Sequence, residues 1–281
     1  MSKNVCMSCN SNIVNKIVLT DNTRWLDEKN HILKFIKNTP VKLYTQKKTN
    51  NKLVIKVNRK PGKYVLYWGS LPDTDNQILI KNDREAYGNF MNYGVCKVNS
   101  NNEIELYFNN PQPYRTKVKG KKNKETFYRH IHICYSDINN KKWLSRIYTR
   151  SVICNIDYLD FKKKIEKGSA VIINTLPCEY YAKSHLPNSY NLPDKLIKKL
   201  SIQMLYEWFS EVIKENYPKL YKLIKSKKIE IYEIPIVVYC FNSKCNSSYN
   251  AAINLQKKGF VNIKDYSPGI EGYIIQNKKF L

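Results

Sequence analysis

Acidic residues are the scarce class in this chain of 281 residues: 23 Asp and Glu face 48 Lys and Arg, leaving a formal charge of +25. A field of that sign attracts polyanions. Arginine is in turn scarce beside lysine, and arginine is the side chain that reads phosphates and bases in a bidentate way. The charge therefore fits a solvated Lys-rich surface as well as a nucleic-acid site. Long apolar runs are missing, which excludes a membrane-crossing helix, and no charged-then-apolar leader opens the chain. The expectation is a soluble, unsecreted protein with no membrane partner. No internal repeat is present. Histidine is rare, at four residues. Cys6 and Cys9 have zinc-clip spacing, but no second pair or nearby histidine completes four ligands.

What is present is the composition of a folded protein. Apolar residues make up 42% and aromatic residues 12%, and the length suits two domains better than one. Eight cysteines in an unsecreted chain of this size read as free thiols, a metal site or redox chemistry rather than a disulfide framework. Residues 1–50 form a polar extension with one helical pattern, Trp25, Leu26, Leu33 and Ile36, stopped by Asn38–Pro40. Over 51–150 the runs "KLVIKV", "KYVLYW", "EIELYF", "RHIHICY" and "LSRIYT" are short, β-branched or aromatic, and separated by turn residues. They predict an antiparallel β-sandwich. Over 151–281 helical and strand patterns alternate: "YLDFKKKIEKG", "AVIIN", a helical stretch from about Leu200 to Lys225, "IPIVVYC", and "VNIKDY". That alternation predicts a parallel sheet covered by helices.

The stretch "YCFNSKCNSSYNAAINLQKKGF" (Tyr239–Phe260) raises the sharpest chemical question. It reads as a reactive-cysteine loop, a metal clip, or a strand-to-helix turn with two incidental thiols. The apolar run before Cys240 is that of a strand buried on both faces, and Ser247 or Ser248 is placed to cap the next helix. Cys240 would then lie at the carboxyl end of a central strand, where open α/β sheets bind ligands. Backbone N–H groups of such a loop and the helix amino terminus stabilise an anion and lower a thiol pKa.

Two separated segments here resemble the rhodanese domain, the sulfurtransferase fold. "AVIINTLPCEYYAKSHLPNSYNLP" (Ala170–Pro193) is similar to the family's opening motif. "VVYC" and "SYNAAINLQKKGFVNIKDYSPGIEGY" resemble its catalytic strand, helix and closing segment. The resemblance implies that Cys240 forms a persulfide, with a small sulfur donor and a thiol acceptor as partners and no cofactor. The loop departs from the family pattern. Six residues separate Cys240 from Ser247, and Lys244 is its only cation where an Arg is usual. Asn174 stands for an Asp, Pro268 for a Gly and Tyr273 for a Trp. In this reading Lys244, Asn246, Ser247 and Ser248 bind the donor, and Cys245 resolves the persulfide to a disulfide. The competing readings are a non-catalytic binding module and a pair of buried core thiols. Phosphate chemistry would want the missing Arg.

His130 and His132 are spaced i, i+2, so on a strand both rings leave one face and can share a metal. The stretch "NFMNYGVCKVNSNNEIELYFNNPQPY" (Asn89–Tyr114) and the His-x-His after it resemble the intradiol ring-cleavage dioxygenases. That family is a β-sandwich binding ferric iron, and the resemblance implies Tyr114, His130 and His132 as three ligands. The family's other tyrosine is missing from "GSLPDTDNQ", with Tyr87 the nearest substitute, so ring cleavage itself is not expected. The Lys-rich "RTKVKGKKNK" between Tyr114 and His130 predicts an exposed hairpin and a polyanion-binding face. The expectation is thus a dioxygenase-like β-sandwich succeeded by a rhodanese-like α/β domain. Its first function is sulfur transfer, and the alternative is a scaffold for a protein partner or nucleic acid. The Lys- and Asn-rich composition and this fusion resemble proteins of large DNA viruses, which implies a cytoplasmic or virion location.

Overall fold

The structure, a computed structural model, describes residues 18–19, 29–72, 78–117 and 123–279. Cys6, Cys9, Trp25 and Leu26 lie outside these residues, as does the centre of the Lys-rich stretch. The chain divides into two compact units, the first ending at Val152 and the second beginning at Ile153. No described helix is long and apolar enough to cross a membrane.

The first unit runs β1 (Val18–Leu19), α1 (Lys29–Asn38), β2 (Asn51–Lys56), β3 (Tyr64–Gly69), α2 (Asp83–Tyr87), β4 (Tyr93–Lys97), β5 (Glu103–Phe108), β6 (Tyr114–Lys117), β7 (Lys124–Phe127), β8 (His130–Tyr135) and β9 (Tyr148–Ser151). It is antiparallel and β-rich, as its short strand runs predict. A five-stranded sheet has the order β1-β9-β8-β3-β4, and β2-β5 and β6-β7 form two-stranded ribbons. The β6-β7 pairing brackets the Lys-rich stretch as a hairpin would. β3 and β8 are central because their sequences bury both faces; every residue of "HIHICY" is buried. Ile32 and Ile36 of α1 pack with Leu66, Trp68 and Tyr114, so this helix, read from sequence as lying in a separate extension, is part of this unit's core. The strand expected at "LSRIYT" starts later, at Tyr148.

The second unit runs β10 (Cys154–Asn155), α3 (Tyr158–Lys167), β11 (Val171–Asn174), α4 (Cys178–Lys183), β12 (Ser189–Asn191), α5 (Asp194–Lys199), α6 (Ile202–Asn216), α7 (Pro218–Lys225), β13 (Ile236–Tyr239), α8 (Ser247–Lys257), β14 (Ile263–Tyr266) and α9 (Gly269–Lys279). All five strands are parallel, in the order β10-β14-β13-β11-β12. Local chemistry marks the helix ends. The Asp157 side chain accepts the Asp160 N–H at the start of α3, and Gly168 closes it with a φ of 55°. The single helix expected over 200–225 is two, because Pro218 has no N–H to continue the ladder and instead begins α7.

Alternate residues of the central strands feed opposite cores. Ile173, Val238 and Ile263 meet Phe209, Ala252 and Leu255 on one side, and Ile172, Val237 and Tyr266 meet Phe161 on the other. Each such aliphatic side chain contributes roughly 1.5–3 kcal/mol by burial, which makes β13 a rigid platform for the cysteine loop at its carboxyl end.

Candidate functional site

Cys240 is the first residue after β13, and its neighbours hold the loop backbone from three sides. The N–H groups of Ile270 and Glu271, at the start of α9, donate to the carbonyls of Cys240 and Phe241, both at 3.0 Å. Gly269 makes that approach feasible. Its φ is +64°, and a Cβ there would fall 2.5 Å from the Phe241 carbonyl carbon and 2.6 Å from the Cys240 oxygen. The Ser247 hydroxyl donates to the Thr175 carbonyl at 2.7 Å, tying the start of α8 to the end of β11. Within the loop, the Cys245 N–H donates to the Asn242 carbonyl at 3.0 Å, and the Lys244 N–H donates to Asn242 Oδ1 at 3.1 Å. Lys244 and Asn246 are exposed. Neither serine caps α8 as the sequence suggests. Ser247 and Ser248 lie inside its first turn, and the Asn246 position makes no side-chain cap.

The two thiols are in contact but in different surroundings. Cys240 is fully buried, with Sγ 3.3 Å from the Cys245 carbonyl and 3.7 Å from that of Asn242. Carbonyl oxygens facing a sulfur favour its protonated form. Donation to the Cys245 sulfur, and then burial, drive the Cys240 pKa up, against hydrogen bonds from the Ser248 side chain and N–H. Cys245 is only partly buried. Its pKa is driven down, first by the Cys240 thiol, with the N–H groups of Ser247 and Phe241 adding to the effect. The expectation of N–H groups lowering the Cys240 pKa is not met: carbonyls and burial raise it, and more of the loop's donors gather on Cys245.

One side chain of this site was not singled out from sequence. Asp265 on β14 sits in register with Val238 and is 3% exposed. The Ser267 hydroxyl donates to its Oδ2 at 2.9 Å, while Oδ1 is buried with no hydrogen-bond partner. The Ser248 hydroxyl lies beside the Asp265 carboxyl but donates its one proton to Cys240 Sγ, at 3.3 Å. Burial raises the Asp265 pKa to about 6, opposed by the neighbouring Ser248 and Ser267 hydroxyls. The available signal was a carboxylate inside "VNIKDY", a stretch read as a strand of the parallel sheet.

In the first unit, His130 and His132 do leave one face of β8, and Tyr114 joins them. Tyr87, at the end of α2, completes the group. Its hydroxyl lies 2.9 Å from His130 Nε2, 2.8 Å from His132 Nε2 and 3.1 Å from the Tyr114 hydroxyl. Tyr114 Oη is 3.4 Å from His130 Nε2. His130 Nδ1 donates to the Tyr128 carbonyl at 2.6 Å, which leaves its Nε2 lone pair facing the phenols. Burial pushes His130 down to about 4 and His132 well below the usual range, with His130 adding to the latter effect. Both rings are neutral. Burial likewise raises both phenols, so they are protonated. Among the described residues no group of three His, Cys, Asp or Glu is placed to hold a metal, so these phenol oxygens are what extend the histidine pair.

Comparison with known proteins assigns the second unit. The rhodanese-like domain family matches residues 157–276. No curated protein matches the chain. Among solved structures, the BH2092 protein from Bacillus halodurans is 21% identical, covering 44% of this chain and 73% of its own, with a TM-score of 0.31. An uncharacterized protein from Saccharomyces cerevisiae is 16% identical over 47% of this chain and 98% of its own, with a TM-score of 0.32. The human single-domain sulfurtransferase TSTD1 is 12% identical over 44% of this chain and 98% of its own, also with a TM-score of 0.32. The family match over residues 157–276 makes the second unit a rhodanese-like α/β domain.

Proposed function

We propose that the rhodanese-like unit moves sulfane sulfur through a cysteine persulfide formed in the Cys240–Cys245 loop. The observation that carries this reading is a pair of neighbouring thiols, one of them favoured as thiolate by its partner thiol and then by main-chain N–H groups, at the carboxyl end of a central parallel strand. A thiolate attacks the outer sulfur of an anionic donor such as thiosulfate. The donor S–S bond breaks, and its electron pair leaves with sulfite. A thiol acceptor then attacks the enzyme-bound outer sulfur and carries it away. Lys244 offsets the donor's charge, and Asn246, Ser247 and Ser248 line the approach.

Mass spectrometry after incubation with thiosulfate tests this. The wild-type chain should gain about 32 Da on the loop peptide or close its disulfide, and the Cys240→Ser/Cys245→Ser double variant should do neither. An unchanged wild-type peptide together with salt-sensitive retention on nucleic acid would favour a binding scaffold instead.

A second reading rests on the Tyr87, Tyr114, His130 and His132 cluster, which we propose as an iron site. Ligands about 2.0–2.1 Å from a tetrahedral metal lie about 3.3 Å from one another. The Tyr114–His130 separation of 3.4 Å matches that spacing, and the three separations to the Tyr87 hydroxyl, 2.8 to 3.1 Å, are hydrogen bonds that would open by a few tenths of an ångström around an ion. His130 and His132 would bind through Nε2, with their Nδ1 atoms held by the Tyr128 carbonyl and Thr149 Oγ1. Tyr87 and Tyr114 would bind as phenolates after losing their protons. Bound iron would supply Lewis acidity and a redox couple. The wild-type protein loaded with ferric salt should retain iron through gel filtration and absorb in the visible, and Tyr87→Phe should lose most of that absorption.

A further inference from the structure

Two features of the loop are not accounted for by a single nucleophilic cysteine. The thiol at the end of β13 is buried among carbonyls, whereas the partly exposed thiol five residues later collects the donors. A carboxylate oxygen is also buried without a partner, one serine away from Cys240. An unsatisfied buried carboxylate is costly, and strands seldom carry one without a use for it. Both features make sense if the two sulfurs act in turn.

We propose that Cys245 is the thiolate that takes the sulfur first, and that Cys240 is the thiol that resolves it, giving up its proton through Ser248 to Asp265. This rests on the sulfur-transfer reading above; Cys240 attacks where no acceptor thiol has taken the outer sulfur, which then leaves as sulfide.

In the first step the Cys245 thiolate attacks the outer sulfur of the donor. A Cys245–sulfur bond forms, the donor S–S bond breaks, and sulfite leaves with the electron pair. Cys245 now carries a persulfide. In the second step Cys240 Sγ attacks the inner sulfur, the Cys245 Sγ. The Ser248 hydroxyl turns from Cys240 Sγ to Asp265 Oδ1, the oxygen that lacks a donor, and passes its proton there while its Oγ takes the Cys240 proton. A Cys240–Cys245 disulfide forms, and the terminal sulfur, having taken a proton from solvent, departs as hydrosulfide with the electron pair of the broken bond. The two thiols are oxidised by two electrons, and the transferred sulfur is reduced to sulfide. A dithiol reductant reopens the disulfide by exchange, and the Asp265 proton returns to Cys240. Asp265 acts only through Ser248 and is a positioning residue. The groups that bear on this proton path are Cys245, which faces both Cys240 and Asp265, and Asp194 at the start of α5, which faces Cys245.

The test treats the three variants Cys240→Ser, Cys245→Ser and Asp265→Asn with thiosulfate and reads peptide mass and released sulfide. Cys240→Ser should trap the persulfide on Cys245. Cys245→Ser and Cys245→Ala should form no adduct on Cys240 at the wild-type rate. Wild type should close the disulfide and release sulfide. Asp265→Asn should slow closure by roughly a hundredfold while slowing persulfide formation far less, and should lose the wild-type rise in closure rate with pH near 6. Circular dichroism and denaturation midpoints confirm that each variant is folded. A Cys245→Ser chain that takes sulfur on Cys240 as fast as wild type overturns the order of the thiols but leaves sulfur transfer standing. A chain in which no variant and no wild type takes sulfur removes both. Equal closure rates and pH profiles in Asp265→Asn and wild type overturn the relay.

Discussion

Asp265 shows how much one side chain can set against the rest of its strand. Its neighbours Ile263 and Val238 stabilise the sheet by burial, while its own carboxyl prefers to stay protonated there. The folded pKa, about 6, is raised above the ordinary 3.8. Stability from this group is fully present below about pH 4 and is lost as pH rises through 6, by about 3 kcal/mol. In Asp265→Asn that loss should vanish. Urea unfolding at a series of pH values should show the variant gaining about 3 kcal/mol on wild type between pH 4 and 7, and a constant difference would count against a buried carboxyl. Sequence reading passed over Asp265 because strand pattern alone does not say which face of "VNIKDY" meets the start of α8. Tyr87 was named only as a substitute ligand for a similar reason: its distance to the histidines is a matter of how α2 packs, not of spacing along the chain.

Elements, rather than residues, hold the loop in shape. β13 delivers Cys240, α8 delivers Ser248, and the first turn of α9 anchors two loop carbonyls. The tightest junction is at Gly269, where backbone meets backbone. Gly269→Ala should therefore destabilise the second unit by roughly 1–3 kcal/mol in urea unfolding and should also abolish the sulfur adduct. A variant with wild-type stability and adduct would show that the junction tolerates a side chain. The parallel sheet of this unit was legible because "AVIIN" and "IPIVVYC" are continuous apolar runs that, with the mixed strand pattern "VNIKDY", are set between helical patterns. The extra helix break at Pro218 was also readable in principle, since proline cannot continue the ladder. The ribbon β6-β7 was harder. Its residues are polar and alternate weakly, so only pairing reveals them as strands.

At the scale of the whole molecule, each unit carries its own core, and the core clusters on either face of the parallel sheet draw only on residues after Val152. Residues 153–279 produced alone should fold with a cooperative urea transition and gain the same sulfur adduct as the full chain. A fragment that stays unfolded would show that the first unit is required. The sequence by itself determined the rhodanese-like character of the second unit, the antiparallel strand content of the first and the basic charge, because these depend on short-range periodicity, local motifs and composition. Only the tertiary structure decided where protons and donors sit. That Cys245 collects more of the loop's N–H groups than Cys240, that Asp265 lies behind Ser248, and that Tyr87 closes on two histidines are facts of direction. A chain's order records which residues are near in sequence, whereas the field at a sulfur or an imidazole depends on which dipoles point at it across the fold.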